Sequence, residues 1–230
     1  MKLSAASERY ARVLAPLELP DFAERDPARP LIVALEGPNG VGKSSLAPAL
    51  AAALAAPALL GIDPAWFGED FKVRMIRDAG WPASAMFFLS GCLEQMRVLR
   101  GRPEPLIVLD RCLWSTLAVH AAETPQRLYS VVGLLAAVAP EVPVPDLTLV
   151  LAADFTVCQS RIARKSGTAR RLDELTAQPA FHDRELGFYQ WLAAQRREVR
   201  WMDARPPAPE VLAAAVALVR EFAPGRPAAA

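Results

Sequence analysis

Four of the chain's 26 basic residues are lysine, Lys2, Lys43, Lys72 and Lys165, and the rest are arginine. A lysine inside a glycine-rich stretch, as Lys43 is, therefore stands out. Histidine and cysteine are also scarce. Two histidines, His120 and His182, and three scattered cysteines, Cys92, Cys112 and Cys158, make no C-x-x-C pair, which excludes a zinc module built from neighbouring ligands. The cysteines read as reduced core thiols and His182 as an exposed helix residue. Excess charge is missing too. The 26 basic residues face 25 acidic ones, a net charge of +1, so neither nucleic acid nor membrane is an expected partner. The longest apolar run, Leu46 to Ile62, is mostly alanine and is interrupted by Pro48 and Pro57, a poor membrane span. The charged opening MKLSAASERYARVL lacks the apolar core of a secretory signal, and a cytoplasmic location is the expectation.

What is present fits one α/β domain. At 230 residues, 53% hydrophobic and 22% charged, the chain can bury an ordinary core. Residues 1–29 pattern as an amphipathic helix and a linker, LPDFAERDPARP, an N-terminal appendage to a domain over 30–224, with 225–230 a flexible tail. From Leu31 onward, short runs that are apolar on both faces fall at 31–35, 58–62, 106–110, 147–152 and 199–203. Helical stretches at 43–56, 83–100, 113–139, 154–165, 178–197 and 208–222 separate them, which predicts a parallel sheet covered on both faces. Pro48 removes a hydrogen bond from the helix that opens at Gly42, so a local kink is expected there.

The stretch GPNGVGKS, Gly37 to Ser44, matches G-x-x-x-x-G-K-[ST] with a strand before it and a helix after it. Glycines let successive backbone N–H groups converge on phosphate oxygens, and the helix N-terminus adds its positive end. Lys43 then reaches the outer phosphates and the Ser44 hydroxyl ligates Mg²⁺. The expected ligand is ATP, held by Gly37, Asn39, Gly40, Val41, Gly42, Lys43, Ser44 and Ser45. Asp110 ends the run LIVLD at the carboxyl edge, where parallel sheets place ligands, and is a candidate for Mg²⁺ or for orienting the attacking group. Arg111 beside it would stabilise phosphate charge.

With these residues the chain resembles the thymidylate kinase family, whose opening reads F/L-E-G-x-D-G-x-G-K-[ST] against LEGPNGVGKSS here. DRCLWSTLA is similar to that family's D-R-[YH]-x-x-S-x-x-A, which adds Ser115 to the candidate acceptor contacts. PDLTLVLAADFTVCQSRIARKSG, AFHDRELGFYQWLA and VRWMDARPPAPEVLAAAVALV resemble its later segments in the family's order, so the likeness covers about 31–222. It implies a P-loop nucleotide kinase fold, a five-stranded parallel sheet with a mobile arginine-rich lid over about 161–174, and phosphoryl transfer from ATP to a nucleoside monophosphate. The lid candidates are Arg161, Arg164, Lys165, Arg170 and Arg171. Arg164 and Arg170 would neutralise the transferring group, and Arg161 and Arg171 would hold the donor. A solvated basic helix end is the plain alternative. The family's homodimers make SVVGLLAAVA, 130–139, a candidate self-association surface, or equally a piece of core.

The acceptor side departs from the family. Ile62 stands where the family has an arginine that holds the acceptor phosphate, and Asp63-Pro64 replaces Glu-Pro. Asn39 replaces the loop aspartate near the sugar, and Cys112 replaces Tyr or His. Arg74, Arg77 and Arg97 are the cations available to compensate. A hydroxyl acceptor needs no phosphate clamp but gains from a base, and Asp63 is the candidate, with a turn role as the alternative. IDPAW, with Trp66, also resembles the E-P-x-x-x-W stretch of deoxynucleoside kinases. Phe87 and Phe88 offer a stacking face or core packing, His120 an acceptor contact or a satisfied buried histidine, and Glu36 an acceptor contact or a loop-ordering role. A hydroxyl kinase on the same fold and a non-catalytic ATP-binding regulator are the rival functions.

Overall fold

A computed structural model describes residues 3–63, 65, 67–142, 144–167, 173 and 176–223. Trp66, Arg170 and Arg171 lie outside these described residues, as does the tail from 224 onward. Five parallel strands, β1 (Leu31–Glu36), β2 (Ala58–Leu60), β3 (Leu106–Asp110), β4 (Leu147–Ala152) and β5 (Val199–Asp203), form one sheet in the order β2-β3-β1-β4-β5. Central β1 and β4 are buried at every position, which is why both are apolar apart from Glu36 and Thr148. The register sets Leu35 opposite Asp110 and Glu36 opposite Val150, so the chemistry-bearing ends of β1 and β3 finish side by side.

Helices α1 (Ala5–Leu14), α4 (Trp81–Arg100), α5 (Leu113–Glu123), α6 (Pro125–Ala136) and α8 (Pro179–Gln195) cover the face presenting Ile32, Ala34, Ile107 and Leu109. Helices α2 (Lys43–Ala53), α7 (Phe155–Ala163) and α9 (Ala208–Phe222) cover the other, with Leu31, Val33, Leu35 and Val108. A further helix, α3 (Glu69–Arg77), follows β2 outside the predicted helical stretches. The predicted helix over 113–139 is two helices, because Thr124 ends α5 and caps α6 by accepting from Arg127 N ahead of Pro125. α2 runs through Pro48 as one helix.

The N-terminal segment is part of the same core rather than an appendage to it. Leu14 and Leu17 are buried in the main cluster, and Phe22 meets Trp114 edge-on at 5.5 Å. A side chain at Gly187 of α8 would stand 2.6 Å from the Ser7 carbonyl oxygen, so α1 lies directly on α8. Beyond the helix, Arg29 is buried against Asp146, Nη1 to Oδ2 at 2.6 Å, and Asp146 also accepts from Ile32 N at 2.8 Å and from Arg25 Nε at 2.5 Å. The amphipathic pattern showed a helix that needed a partner, and α8 is that partner. The 130–139 run divides between the two readings: Val131, Val132 and Leu135 are buried, whereas Leu134 and Val138 are exposed. Among the described residues no helix is long and apolar enough to cross a membrane.

Candidate active site

The loop after β1 turns on glycines that no other residue could replace. Gly37 has φ +127°, and a Cβ there would lie 2.2 Å from the Leu151 carbonyl oxygen of β4. Gly42 caps α2 in the left-handed region, leaving the first N–H groups of that helix facing the loop. Lys43 is 4% exposed, and its Nζ donates to the carbonyls of Gly37 at 2.5 Å and Pro38 at 2.8 Å. Burial and then Arg111 pull the Lys43 pKa down, against Glu36, Glu185 and Asp110. Ser44 and Ser45 are exposed at the start of α2.

Glu36 organises the floor of the site. It has no exposed surface, and Oε1 accepts from Cys112 N at 2.8 Å, Cys112 Sγ at 3.1 Å and Ser115 N at 3.2 Å. Oε2 accepts from the hydroxyls of Ser115 at 2.5 Å and Tyr189 at 2.8 Å. Burial, and then Glu36 itself, hold the Cys112 thiol and the Tyr189 phenol well above their usual pKa values, so both stay protonated donors. These contacts tie Glu36 to the start of α5 and to α8 rather than to the glycine loop, and leave neither oxygen free of protein donors.

Asp110 is 8% exposed, and its Oδ1 is buried with no hydrogen-bond partner among the described residues. Arg111 follows in the left-handed region with φ 75°, uncommon for a residue with a side chain. Its N–H donates to Leu35 O at 3.1 Å, Nη1 to Ser115 Oγ at 3.1 Å and Nη2 to Asn39 Oδ1 at 2.5 Å. No group of three or more His, Cys, Asp or Glu gathers for a metal among the described residues. One orphaned carboxylate oxygen and an exposed serine hydroxyl instead suit Mg²⁺, which prefers few protein ligands and completes its shell with phosphate and water.

The basic candidates separate. Arg161 is bound down on the donor side, with Nη1 to Val41 O and Nη2 to Ala204 O, each at 2.8 Å. Arg164 caps α7 and is exposed, and Lys165 pairs with Asp173 at 2.6 Å. On the acceptor side Asp63 Oδ1 accepts from Ala65 N at 2.8 Å, the turn arrangement. Phe87 is buried in a ring cluster, 4.6 Å from Phe67, 5.5 Å from Phe71 and 4.9 Å from half-buried Phe88. Arg74 lies over Phe71, while Arg77 and Arg97 are in exposed pairs with Asp78 and Glu94. His120 is 5% exposed against Trp81, and burial, then Arg127, pushes its pKa down to about 4.

Sequence reasoning missed Glu185 and Tyr189, which stand four apart on one face of α8 and are both buried beside the loop. The available signal was weak, because Asp183, Arg184 and Gln190 of the same helix are polar as well. Burial pushes Glu185 up, opposed by Lys43 and Arg111. His182, expected on the surface, is 5% exposed, with Nε2 3.1 Å from the Ala153 carbonyl oxygen and its ring against Phe155.

A parallel sheet of this order, with a G-K-S loop after its central strand and Asp-Arg after the neighbouring strand, defines the P-loop nucleotide kinase fold. Among solved structures, the chain is similar to thymidylate kinase from Candida albicans, at 19% identity over 84% of this chain and 92% of that one, with a TM-score of 0.60. It is also similar to deoxyadenosine kinase from M. mycoides with the products dCMP and dCDP bound, at 14% identity over 83% and 99% with a TM-score of 0.62, and to the same enzyme with dATP bound. At these identities the likeness is one of fold. No family model and no curated protein matches the chain.

Proposed function

We propose that this chain is an ATP- and Mg²⁺-dependent kinase whose acceptor is a nucleoside monophosphate. One observation carries the reading: Lys43, the orphaned Asp110 oxygen and a backbone-strained Arg111 converge at the carboxyl ends of β1 and β3. Lys43 exchanges its loop carbonyls for the outer phosphates, and the N-terminal amides of α2 hold the remaining phosphate charge. Ser44 and Asp110 would hold Mg²⁺, which neutralises charge on the transferring phosphoryl group. Arg111, anchored by Asn39 and Ser115, faces the junction between donor and acceptor and offsets charge on both. Arg164, with Arg170 and Arg171 beyond the described residues, would supply the lid cations, and Arg161 the support of the donor end.

A second reading, transfer to a hydroxyl with Asp63 as base, is favoured by one specific arrangement. Arg77 and Arg97 are tied to neighbouring carboxylates and Arg74 to Phe71, so each compensating cation already has a partner. Coupled ADP release over paired panels of monophosphates and nucleosides separates the two. Turnover with a monophosphate alone supports the first, and turnover with a nucleoside alone, lost in Asp63→Asn, supports the second. ATP binding with no acceptor-dependent ADP release on any panel would favour a regulator. Asp110→Asn should lower turnover by about a hundredfold or more while the melting temperature holds, because Oδ1 has no partner among the described residues.

A further inference from the structure

The Asn39 side chain touches two elements at once. Its Oδ1 accepts from Arg111 Nη2 at 2.5 Å, and its Nδ2 donates to Thr176 Oγ1 at 2.8 Å. Arg111 belongs to the reacting corner, whereas Thr176 lies in the stem that leads from α7 to α8. The orientation of the amide is forced, since a guanidinium only donates and the oxygen must face it. The nitrogen then faces Thr176, whose own hydroxyl proton goes to the Asp173 carbonyl at 3.2 Å. The Thr176 N–H reaches the same carbonyl at 3.3 Å, and the Asp173 carboxylate holds Lys165, two residues past α7, at 2.6 Å. One polar chain thus runs from Arg111 through Asn39, Thr176 and Asp173 to Lys165. A small, partly open cleft lined by Pro38, Asn39, Ile162, Thr176 and Glu185 lies alongside it.

We propose that Asn39 is a positioning residue that couples the α7–α8 stem to Arg111, so that movement of the stem redirects the guanidinium at the reacting corner. The proposal rests on the reading of Arg111 as the cation beside the transferring group. An asparagine suits this task because it accepts at one end and donates at the other. An aspartate would require Thr176 to turn its proton away from Asp173. Coupling of this kind is reciprocal: whatever frees Arg111 from Asn39 also loosens the stem.

The test is limited trypsin digestion of the full chain without nucleotide, following by mass the fragments that end at Arg164 and Lys165, both exposed. Losing the two neutral hydrogen bonds of the Thr176 hydroxyl, about 1 kcal/mol each, should speed cleavage there by about fivefold to thirtyfold in Thr176→Val. Arg111→Met, which never touches the stem, should speed the same cleavage, and the double variant should be cleaved no faster than the faster single. If Arg111→Met does not melt cooperatively, Arg111→Lys replaces it, because an ammonium does not reproduce the fork that spans Ser115 and Asn39. Cleavage at the wild-type rate in the Arg111 variant, or effects that multiply in the double variant, would overturn the coupling. Failure of the kinase reading would appear separately, as wild-type protein that neither binds MgATP nor turns over.

Discussion

Replacing Glu36 by alanine removes a carboxylate that satisfies five donors in a site with no exposed surface. The Ser115 hydroxyl can turn toward another partner and the Ser115 amide keeps the Cys112 carbonyl at 3.1 Å, but the Cys112 amide cannot turn and the Tyr189 hydroxyl is buried. Each stranded buried donor costs about 1–3 kcal/mol. Two of them give about 2–6 kcal/mol, and water entering the polar space left behind recovers part of it, so about 2–4 kcal/mol is expected. That is a large share of the ~5–15 kcal/mol that holds an ordinary domain together. For a chain of this size it corresponds to a melting-temperature drop of about 10 °C. Glu36→Gln is the informative control. Its oxygen can keep the two amides while its NH₂ faces two hydroxyls that are free to reverse, so only charge assistance is lost, about 1–2 kcal/mol. Urea unfolding at pH 7 with an unchanged slope measures both. An alanine variant within about 1 kcal/mol of wild type would refute this account of Glu36 and return it to the acceptor candidates.

Two further outcomes follow from buried charge. Burial holds the folded-state pKa of His120 at about 4, below its ordinary value of 6.5, so the unfolded chain takes up a proton first as pH falls. The stability carried by neutral His120 is complete above pH 6.5 and is lost as pH drops toward 4, with about 2 kcal/mol gone by pH 5. His120→Leu should therefore lose less stability between pH 7 and pH 5 than wild type by about that amount, read from urea midpoints, and an equal loss in both would refute it. Asp146→Ala leaves Arg29 buried without its carboxylate and should cost about 3–5 kcal/mol by the same assay, whereas a change under about 1 kcal/mol would show that the N-terminal segment is dispensable.

The strands and the phosphate loop could be seen in the sequence because they obey local rules. Parallel strands buried on both sides are largely apolar, and the loop needs its glycines at fixed spacing, so 31–35, 106–110 and 147–152 fall where expected. The run 199–203 falls there too, as an edge strand with Arg200 exposed. β2 stops at Leu60, two residues short of the expectation, because Gly61 turns in against Arg111. α3 was hidden because EDFKVRMIR carries charges around its apolar positions and covers only part of the body. The break at Thr124-Pro125 was visible in the dipeptide itself. Burial of α1 was not visible, since amphipathicity declares a face but not the surface that meets it. The same limit applies to Glu185, Tyr189 and Thr176: their positions beside the loop depend on how α7, α8 and β1 converge, a long-range matter that no window of residues contains.

Arg111 shows why that corner is best understood as kept for chemistry. A side-chain-bearing residue in the left-handed region costs about 1–3 kcal/mol, and a glycine would hold the same turn with less strain. The strain is held in place from three sides, by Leu35 O on the backbone and by Asn39 and Ser115 on the guanidinium. It also constrains a residue fifty positions away, because a Cβ at Gly61 would stand 2.3 Å from the Arg111 carbonyl oxygen. Beside it, Asp110 keeps a buried oxygen with no partner among the described residues, which also costs stability. Two adjacent residues that both lower stability, at the carboxyl edge of a parallel sheet and next to a phosphate loop, serve no packing purpose. Under the proposed function a phosphoryl group with its metal would account for both, satisfying the Asp110 oxygen through the metal and giving the Arg111 guanidinium an anion to meet.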